Sequence, residues 1–220
     1  MKGHLVVAAL ASLLAAPAAA TIVGGSVTGG SAFTAGGVFV KLTPPLQNPF
    51  GSPDSVGNDN FQSPDLFGFD EEQNVLLTAP LTVDVGSSPI PAGTTISSHY
   101  VFFDPGPAER VIGRVDFNSD VIGIVTSTAA LAATDFLSNP GVNYLDPALR
   151  GLEAGDSVTI SGAQQILFDT SASSPGDYVR VLTASSGLSV PEPATWAMLL
   201  LGFVGLGVAG CLRAGIAARV

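Results

Sequence analysis

Between residues 74 and 184 the chain is broken into short runs that suit strands. NVLLTAPLTVDV, TTISSHYVFF, RVIGRVDF, DVIGIVTS, DSVTIS, AQQILFD and DYVRVLTA are rich in Val, Ile, Thr, Phe and Tyr, with turn-forming residues between them. β-Branched and aromatic side chains fit a pleated, half-buried surface, and Gly, Pro, Asn, Asp and Ser mark the turns. In RVIGRVDF, Val111, Val115 and Phe117 share a face with Gly113, while Ile112, Arg114 and Asp116 share the other. That period of two predicts one buried and one wetter face. Residues 104–109 (DPGPAE) read as a loop and Asn118-Ser119 as a tighter turn, so residues 95–127 are expected to form a meander.

One segment departs from this pattern. STAALAATDFLSNPG begins at Ser127, a suitable N-cap, and is stopped by Asn139-Pro140-Gly141. It predicts a short helix whose Ala129, Ala133, Phe136 and Leu137 pack on the strands. Residues 43–74 carry Pro44, Pro45, Pro49, Pro53 and Pro64, which excludes regular helix and central strand; Leu66, Phe67 and Phe69 are expected to tuck onto the core. Residues 21–37, rich in Gly, Ser and Thr, read as a flexible lead into a strand at 36–42. Many short strands and one short helix predict a mainly β fold, an antiparallel β-sandwich of jelly-roll-like type.

The two ends say where the chain goes. Residues 1–20 have the layout of a secretory signal peptide: Lys2, an apolar run from Leu5 to Leu14, and Ala18-Ala19-Ala20 as the cleavage site. The folded domain is then expected over residues 21–187 and a tail over 188–220. Within the tail, residues 194–212 hold no charge. As a helix they would span roughly 28 Å, close to a bilayer's hydrocarbon core. Trp196 near one end suits the interface, and Arg213 and Arg219 beyond the other favour a cytoplasmic C-terminus. Pro191 and Pro193 keep the preceding chain extended, where a processing enzyme could grip it.

Pro191-Glu192-Pro193, then Ala-Thr-Trp-Ala-Met, then a Leu/Gly/Val-rich span and arginine, resembles the PEP-CTERM sorting signal. The family usually closes with a tight arginine cluster; here Arg213 and Arg219 are separated by Ala-Gly-Ile-Ala-Ala. The resemblance implies an exported protein of a Gram-negative bacterium that makes exopolysaccharide. It implies recognition by an inner-membrane exosortase, a cysteine protease-like transpeptidase that cuts near Pro-Glu-Pro. It also implies a membrane-anchored intermediate, followed by the cell surface or the extracellular matrix. LRGLEAGDSVTI and SSPGDYVRVLT are similar to strand–turn segments of other PEP-CTERM proteins.

Charge and residue usage narrow the chemistry. Residues 21–190 contain five Lys or Arg against seventeen Asp or Glu, a net charge of −12. Such a body repels nucleic acid and anionic membrane surfaces. Cys211 is the single cysteine and lies in the apolar run, so the body has no disulfide. Ile22-Val23-Gly24-Gly25 and Gly155-Asp156-Ser157 look like pieces of a trypsin-like protease, but the cysteines and the histidine setting of that family are missing. His99 is the body's one histidine and reads as a polar strand position; a His-rich zinc site is excluded.

Asp116, Asn118 and Asp120 alternate as the start of an EF-hand Ca²⁺ loop does, but Val121 stands at position six and Ser127 at position twelve. A turn that favours Asn, Ser and Asp explains the same residues. Asp70-Glu71-Glu72 reads as a solvated loop. The sequence therefore predicts no resident cofactor beyond optional Ca²⁺. Its leading reading is a non-enzymatic structural or adhesive module. Two others stay open: a carbohydrate-binding module, with Ca²⁺ optionally shaping its site, and a secreted hydrolase, in which a glycosidase's paired carboxylates would use Tyr100, Tyr144 and Tyr178 in place of the missing tryptophan as a sugar-stacking platform.

Overall fold

The computed structural model describes residues 19–46 and 54–185. In chain order the strands are β1 (Ile22–Gly29), β2 (Phe39–Lys41), β3 (Ser55–Val56), β4 (Leu66–Asp70), β5 (Val75–Leu76), β6 (Val85–Gly86), β7 (Thr95–Phe103), β8 (Glu109–Phe117), β9 (Val121–Val125), β10 (Asn143–Tyr144), β11 (Ser157–Gly162), β12 (Gln165–Ala172) and β13 (Asp177–Ala184). Two short helices join them, α1 (Gly30–Thr34) and α2 (Thr128–Ala133). The described residues are thus mainly β with few helices, as the sequence predicts for them.

One sheet has the order β1-β8-β12-β11 and is antiparallel throughout. A larger one runs β2-β4-β7-β13-β9-β6, with β5 added on β7, and only its β2–β4 pair is parallel; a third pairs just β10 and β3, in parallel. The expected alternation on β8 holds: Val111, Val115 and Phe117 are buried, while Arg114 faces out. These side chains, with Ile166 and Phe168 of β12, meet Val101, Phe103, Val179 and Val181 from the other sheet in one apolar core. The sheets approach closely at Gly113, where a Cβ would lie 2.8 Å from the Leu66 side chain.

The meander expected over residues 95–127 does not form. β7 and β9 lie in the larger sheet and β8 in the smaller, so both connections cross between sheets. Alternation says which side chains point inward but not which strand is the neighbour. Crossing lets the apolar face of β8 meet that of β7 across the core instead of lying beside it. The lead at 21–37 is likewise structured, as β1 paired to β8 and then α1. Its glycines are the reason: a Cβ at Gly25 would stand 2.6 Å from the Arg114 carbonyl oxygen and from the Phe39 ring.

A second core covers the outer face of the larger sheet. Leu46, Phe61, Leu77, Val83, Ile90, Leu131, Leu137 and Val142 pack there on Phe67, Phe69, Tyr100, Phe102, Tyr178 and Leu182. β13 is therefore buried on both faces. Leu66, Phe67 and Phe69 are buried as expected, but as strand β4 rather than as part of an irregular segment. α2 follows its expected N-cap Ser127, whose hydroxyl bonds Asp84 and not the helix. Its buried residue is Leu131; of the side chains expected to pack, Leu137 is buried in the turn that follows, while Ala129 and Ala133 are exposed and Phe136 is 57% exposed. The helix ends at Ala133 and a tighter 3₁₀ turn, Asp135–Leu137, carries the chain on, which rotates Phe136 away from the sheet.

Polar groups lock this layer down. Glu71, expected in a solvated loop, has a fully buried side chain facing the fully buried Arg180. Arg180 Nε and Nη2 donate to the two Glu71 oxygens at 2.7 and 2.9 Å. The same carboxylate accepts from Ser98 Oγ and Tyr144 Oη, both at 2.6 Å. Arg180 Nη1 donates to the Leu131 carbonyl and to Thr134 Oγ1 at 3.1 and 2.8 Å. Burial opposes the charge on Arg180, but Glu71 outweighs it and raises the guanidinium above the usual arginine value. Breaking one partner of such a pair costs about 3–5 kcal/mol because the other charge is left stranded. Urea unfolding should therefore show Glu71→Ala and Arg180→Ala each destabilised by about that amount. The double variant Glu71→Leu/Arg180→Met should recover most of it.

Candidate functional site

The sorting residues Pro191, Glu192 and Pro193, and the flanking Trp196, Arg213 and Arg219, lie outside the described residues, as does the apolar run 194–212. So does the signal-peptide reading up to residue 18. Among the described residues no helix is long and apolar enough to cross a membrane. The body holds its own last described residue firmly. Ser185 N donates to the Thr95 carbonyl at 3.1 Å, and Ser185 Oγ bonds Asn74 Oδ1.

The three candidate Ca²⁺ ligands each have separate partners. Asp116 Oδ1 accepts from Gln165 Nε2 at 2.6 Å, and Asp120 Oδ1 from Gln164 Nε2 at 3.2 Å. Asn118 Oδ1 accepts from Thr21 N at 2.7 Å, and Asn118 Nδ2 donates to the Ala19 carbonyl. Asn118 thus clasps the chain where β1 begins. Among the described residues no three His, Cys, Asp or Glu side chains gather as a metal-ligand group.

A polar cluster that sequence reasoning missed surrounds Asp70. Asp70 Oδ1 faces His99 Nδ1 at 2.8 Å and accepts from Ile22 N at 2.9 Å. Asp70 Oδ2 accepts from Thr21 Oγ1 at 2.6 Å and pairs with Lys41 Nζ at 2.8 Å. His99 Nε2 lies 3.0 Å from Thr183 Oγ1. Burial alone would raise the Asp70 pKa. The bonds from His99, Lys41, Thr21 and Ile22 overcome it and hold the carboxyl well below the usual carboxylate range.

Asp70, His99 and Thr183 follow the order acid, imidazole, hydroxyl of a nucleophilic triad. His99 and Thr183 have no exposed surface, however, and the Phe117 ring covers the imidazole at 5.0 Å. In this conformation no substrate reaches the hydroxyl. What the line does is tie β1, β2, β4, β7 and β13 together. Its members are 29 and 84 residues apart along the chain, so no local motif announces it.

Asp104 behaves in the opposite way. It has no exposed surface, and one of its oxygens is buried without a hydrogen-bond partner. Burial, with the charge of Asp59 added, pushes it up to about 6 despite the bond from Phe61 N. A carboxyl whose folded pKa exceeds its unfolded one favours folding while protonated. That contribution is complete below about pH 4 and is lost as pH rises through 6. Asp70 has the reverse sign and contributes above about pH 4, fading as pH falls. In metal-free buffer the melting temperature should therefore peak near pH 5 and drop by about 5 °C toward pH 8. Asp104→Asn should reduce the alkaline fall, the remainder coming from Asp177, which burial pushes up to about 7, and Asp70→Asn should flatten the acid side.

The chain matches no curated protein and no solved structure. Residues 189–214 match the family model described as the PEP-CTERM protein-sorting motif. They include Pro191-Glu192-Pro193 and end just past Arg213. The protein is therefore an exported chain that carries a PEP-CTERM sorting signal, the mark of processing by an exosortase in the membrane.

Proposed function

We propose that this protein is a non-catalytic structural or adhesive component of the cell surface or exopolysaccharide matrix. The sorting motif at residues 189–214 carries that reading. In it, residues 1–20 direct export and residues 194–212 hold the intermediate in the inner membrane. Exosortase then cuts near Pro191-Glu192-Pro193, and the body, a jelly-roll-like sandwich, is delivered outward. The burial of the Asp70–His99–Thr183 line supports a module without catalysis, because its one acid–imidazole–hydroxyl arrangement among the described residues is spent on packing.

Carbohydrate binding is the second reading, and one feature favours it. A shallow pocket of about 280 Å³ is lined by Ser31, Glu109, Arg110, Ser171 and Ser173. Arg110 is held there by a two-bond pair with Asp169, both contacts at 2.9 Å. Hydroxyls beside a fixed guanidinium suit a hydroxylated ligand.

The sorting reading is tested on the protein recovered from the surface of its own cells. Trypsin should release residues 181–213 from an unprocessed chain; after processing, that peptide should end near Pro191. Trp196 is the protein's single tryptophan, so the mature form should emit only tyrosine fluorescence. Replacing Pro191, Glu192 and Pro193 with alanine should keep the intact peptide, and the indole emission, in the membrane fraction. A surface form that retains Trp196 through Val220 would leave a plain tail anchor instead.

A further inference from the structure

β11 (Ser157–Gly162) ends the smaller sheet, and among the described residues no strand pairs with its outer side. A sheet edge presents a row of unpaired N–H and C=O groups, and proteins blunt such edges with bulges, charge, proline or shortness. The strands that end the two main sheets elsewhere are blunted in these ways. β1 is broken by two register shifts, and the Phe39 ring presses on its Gly25. β2 is three residues long and finishes at Lys41, and β6 has two residues. β11 lacks such devices over most of its length. From Ser157 to Gln165 the chain carries no proline and no charge, and its one register shift with β12 falls after Ile160.

Ser157, Thr159 and Ser161 are exposed, Val158 is buried, and Ile160 is half-buried against the inner core. Ser157-Val158-Thr159-Ile160-Ser161 is therefore the same polar–apolar alternation read from either end. An antiparallel neighbour must bring residues of one face opposite each other. A second β11 does so when the twofold axis passes through Thr159. Thr159 then meets the partner's Thr159, Val158 meets the partner's Ile160, and Ser157 meets the partner's Ser161. A centre at Val158 would set Asp156 against the partner's Ile160. A centre at Ile160 would draw in Gly162, where β11 leaves register with β12. Charge also permits a copy here. The body carries a net −12, so two copies repel wherever their acids meet. Beside β11, however, the one charged residue on β12 is Asp169, and Arg110 holds it through two bonds at 2.9 Å.

We propose that two copies of this chain join through β11, antiparallel about Thr159, into one continuous sheet of order β1-β8-β12-β11-β11-β12-β8-β1. The new ladder satisfies the edge groups of both copies. On the inner face it sets Val158 beside the partner's Ile160, twice over. That covers Ile160 where the two main sheets leave a groove of about 410 Å³, lined also by Gly86, Val121 and Ile122. On the outer face it lines up the hydroxyls of Ser157, Thr159 and Ser161, a pairing that suits cross-strand neighbours. The contact uses the same patch on both copies, so it closes as a dimer. The joined sheet ends on β1 at both sides, and the bulges there keep it from growing further.

The test uses the full chain in detergent, with Cys211→Ser removing its single native thiol. Ser157→Cys, Thr159→Cys and Ser161→Cys are made one at a time in that background. Residues directly opposed in a ladder have Cβ atoms about 4.5–5.5 Å apart, near the reach of a disulfide. Thr159→Cys should therefore give a covalent dimer on mild oxidation. Ser157→Cys alone and Ser161→Cys alone should give little, because the pairing holds each roughly 14 Å from its own copy along the strand. Mixed together, these two variants should cross-link to each other. Without added cysteines, sedimentation should show a dimer that Thr159→Lys converts to monomer. Its melting temperature should stay within about 1 °C of the Thr159 chain at matched low concentration, since an exposed surface change costs little by itself. The proposal is overturned if Thr159→Cys fails to cross-link or if either serine variant alone cross-links as readily. A dimer that survives Thr159→Lys overturns it by placing the contact elsewhere. A chain that is monomeric at every concentration overturns it by leaving the edge to some other protein's strand.

Discussion

The buried Glu71–Arg180 pair is the constraint on which the outer layer depends. That layer is built from proline-rich loops, a six-residue helix and two-residue strands, so backbone ladders do little to position it. Arg180 stands in the middle of the larger sheet, and from there its guanidinium reaches Glu71, the Leu131 carbonyl and Thr134. Tyr144 adds the segment at β10 through the other Glu71 oxygen. Arg150 extends the network by gripping Asp135 through two bonds at 2.9 and 2.8 Å.

The next residue back does the corresponding work on the other side of the sheet. Asp70 and Glu71 are consecutive in extended chain, so their side chains point to opposite faces. Asp70 turns toward His99, Lys41 and the start of β1, next to the inner core; Glu71 turns toward Arg180 and the outer layer. One dipeptide at the end of β4 thus anchors both layers to the same sheet. The sequence alone suggests a solvated acidic loop here, because a run of Asp-Glu-Glu has no nearby cations. The cations that answer it are Lys41 and Arg180, and Arg180 is 109 residues away.

This pattern explains how much of the molecule was legible. Local properties were: strand composition at 95–103, 109–117 and 177–184, the inward face of β8, the N-cap at Ser127, and the burial of Leu66, Phe67 and Phe69. Properties that need a partner were not. The neighbour of β8, the clasp of Asn118 on Thr21 and the burial of Glu71 all depend on chain segments far apart in sequence. β1 was missed for a related reason. Its glycines look permissive in isolation and become necessary only once the Arg114 backbone and the Phe39 ring press against Gly25. The Asp116–Asp120 loop shows the reverse case, a local pattern whose side chains are used one by one on distant partners.

The sorting signal was readable for the reason the body was not. The motif is a linear order of proline, acid, apolar span and arginine, so its information is the order itself. A motif defined by consecutive residues leaves its mark in their order, and a family model matches it within 26 of them, 189–214. The acidic body is under no such demand. Its carboxylates are distributed among ion pairs, backbone caps such as Asp84 on Thr126 and Ser127, and buried groups such as Asp104, and only three-dimensional neighbours tell these uses apart. Address and body therefore place different demands on the chain: one needs order along the sequence, the other needs contacts across it.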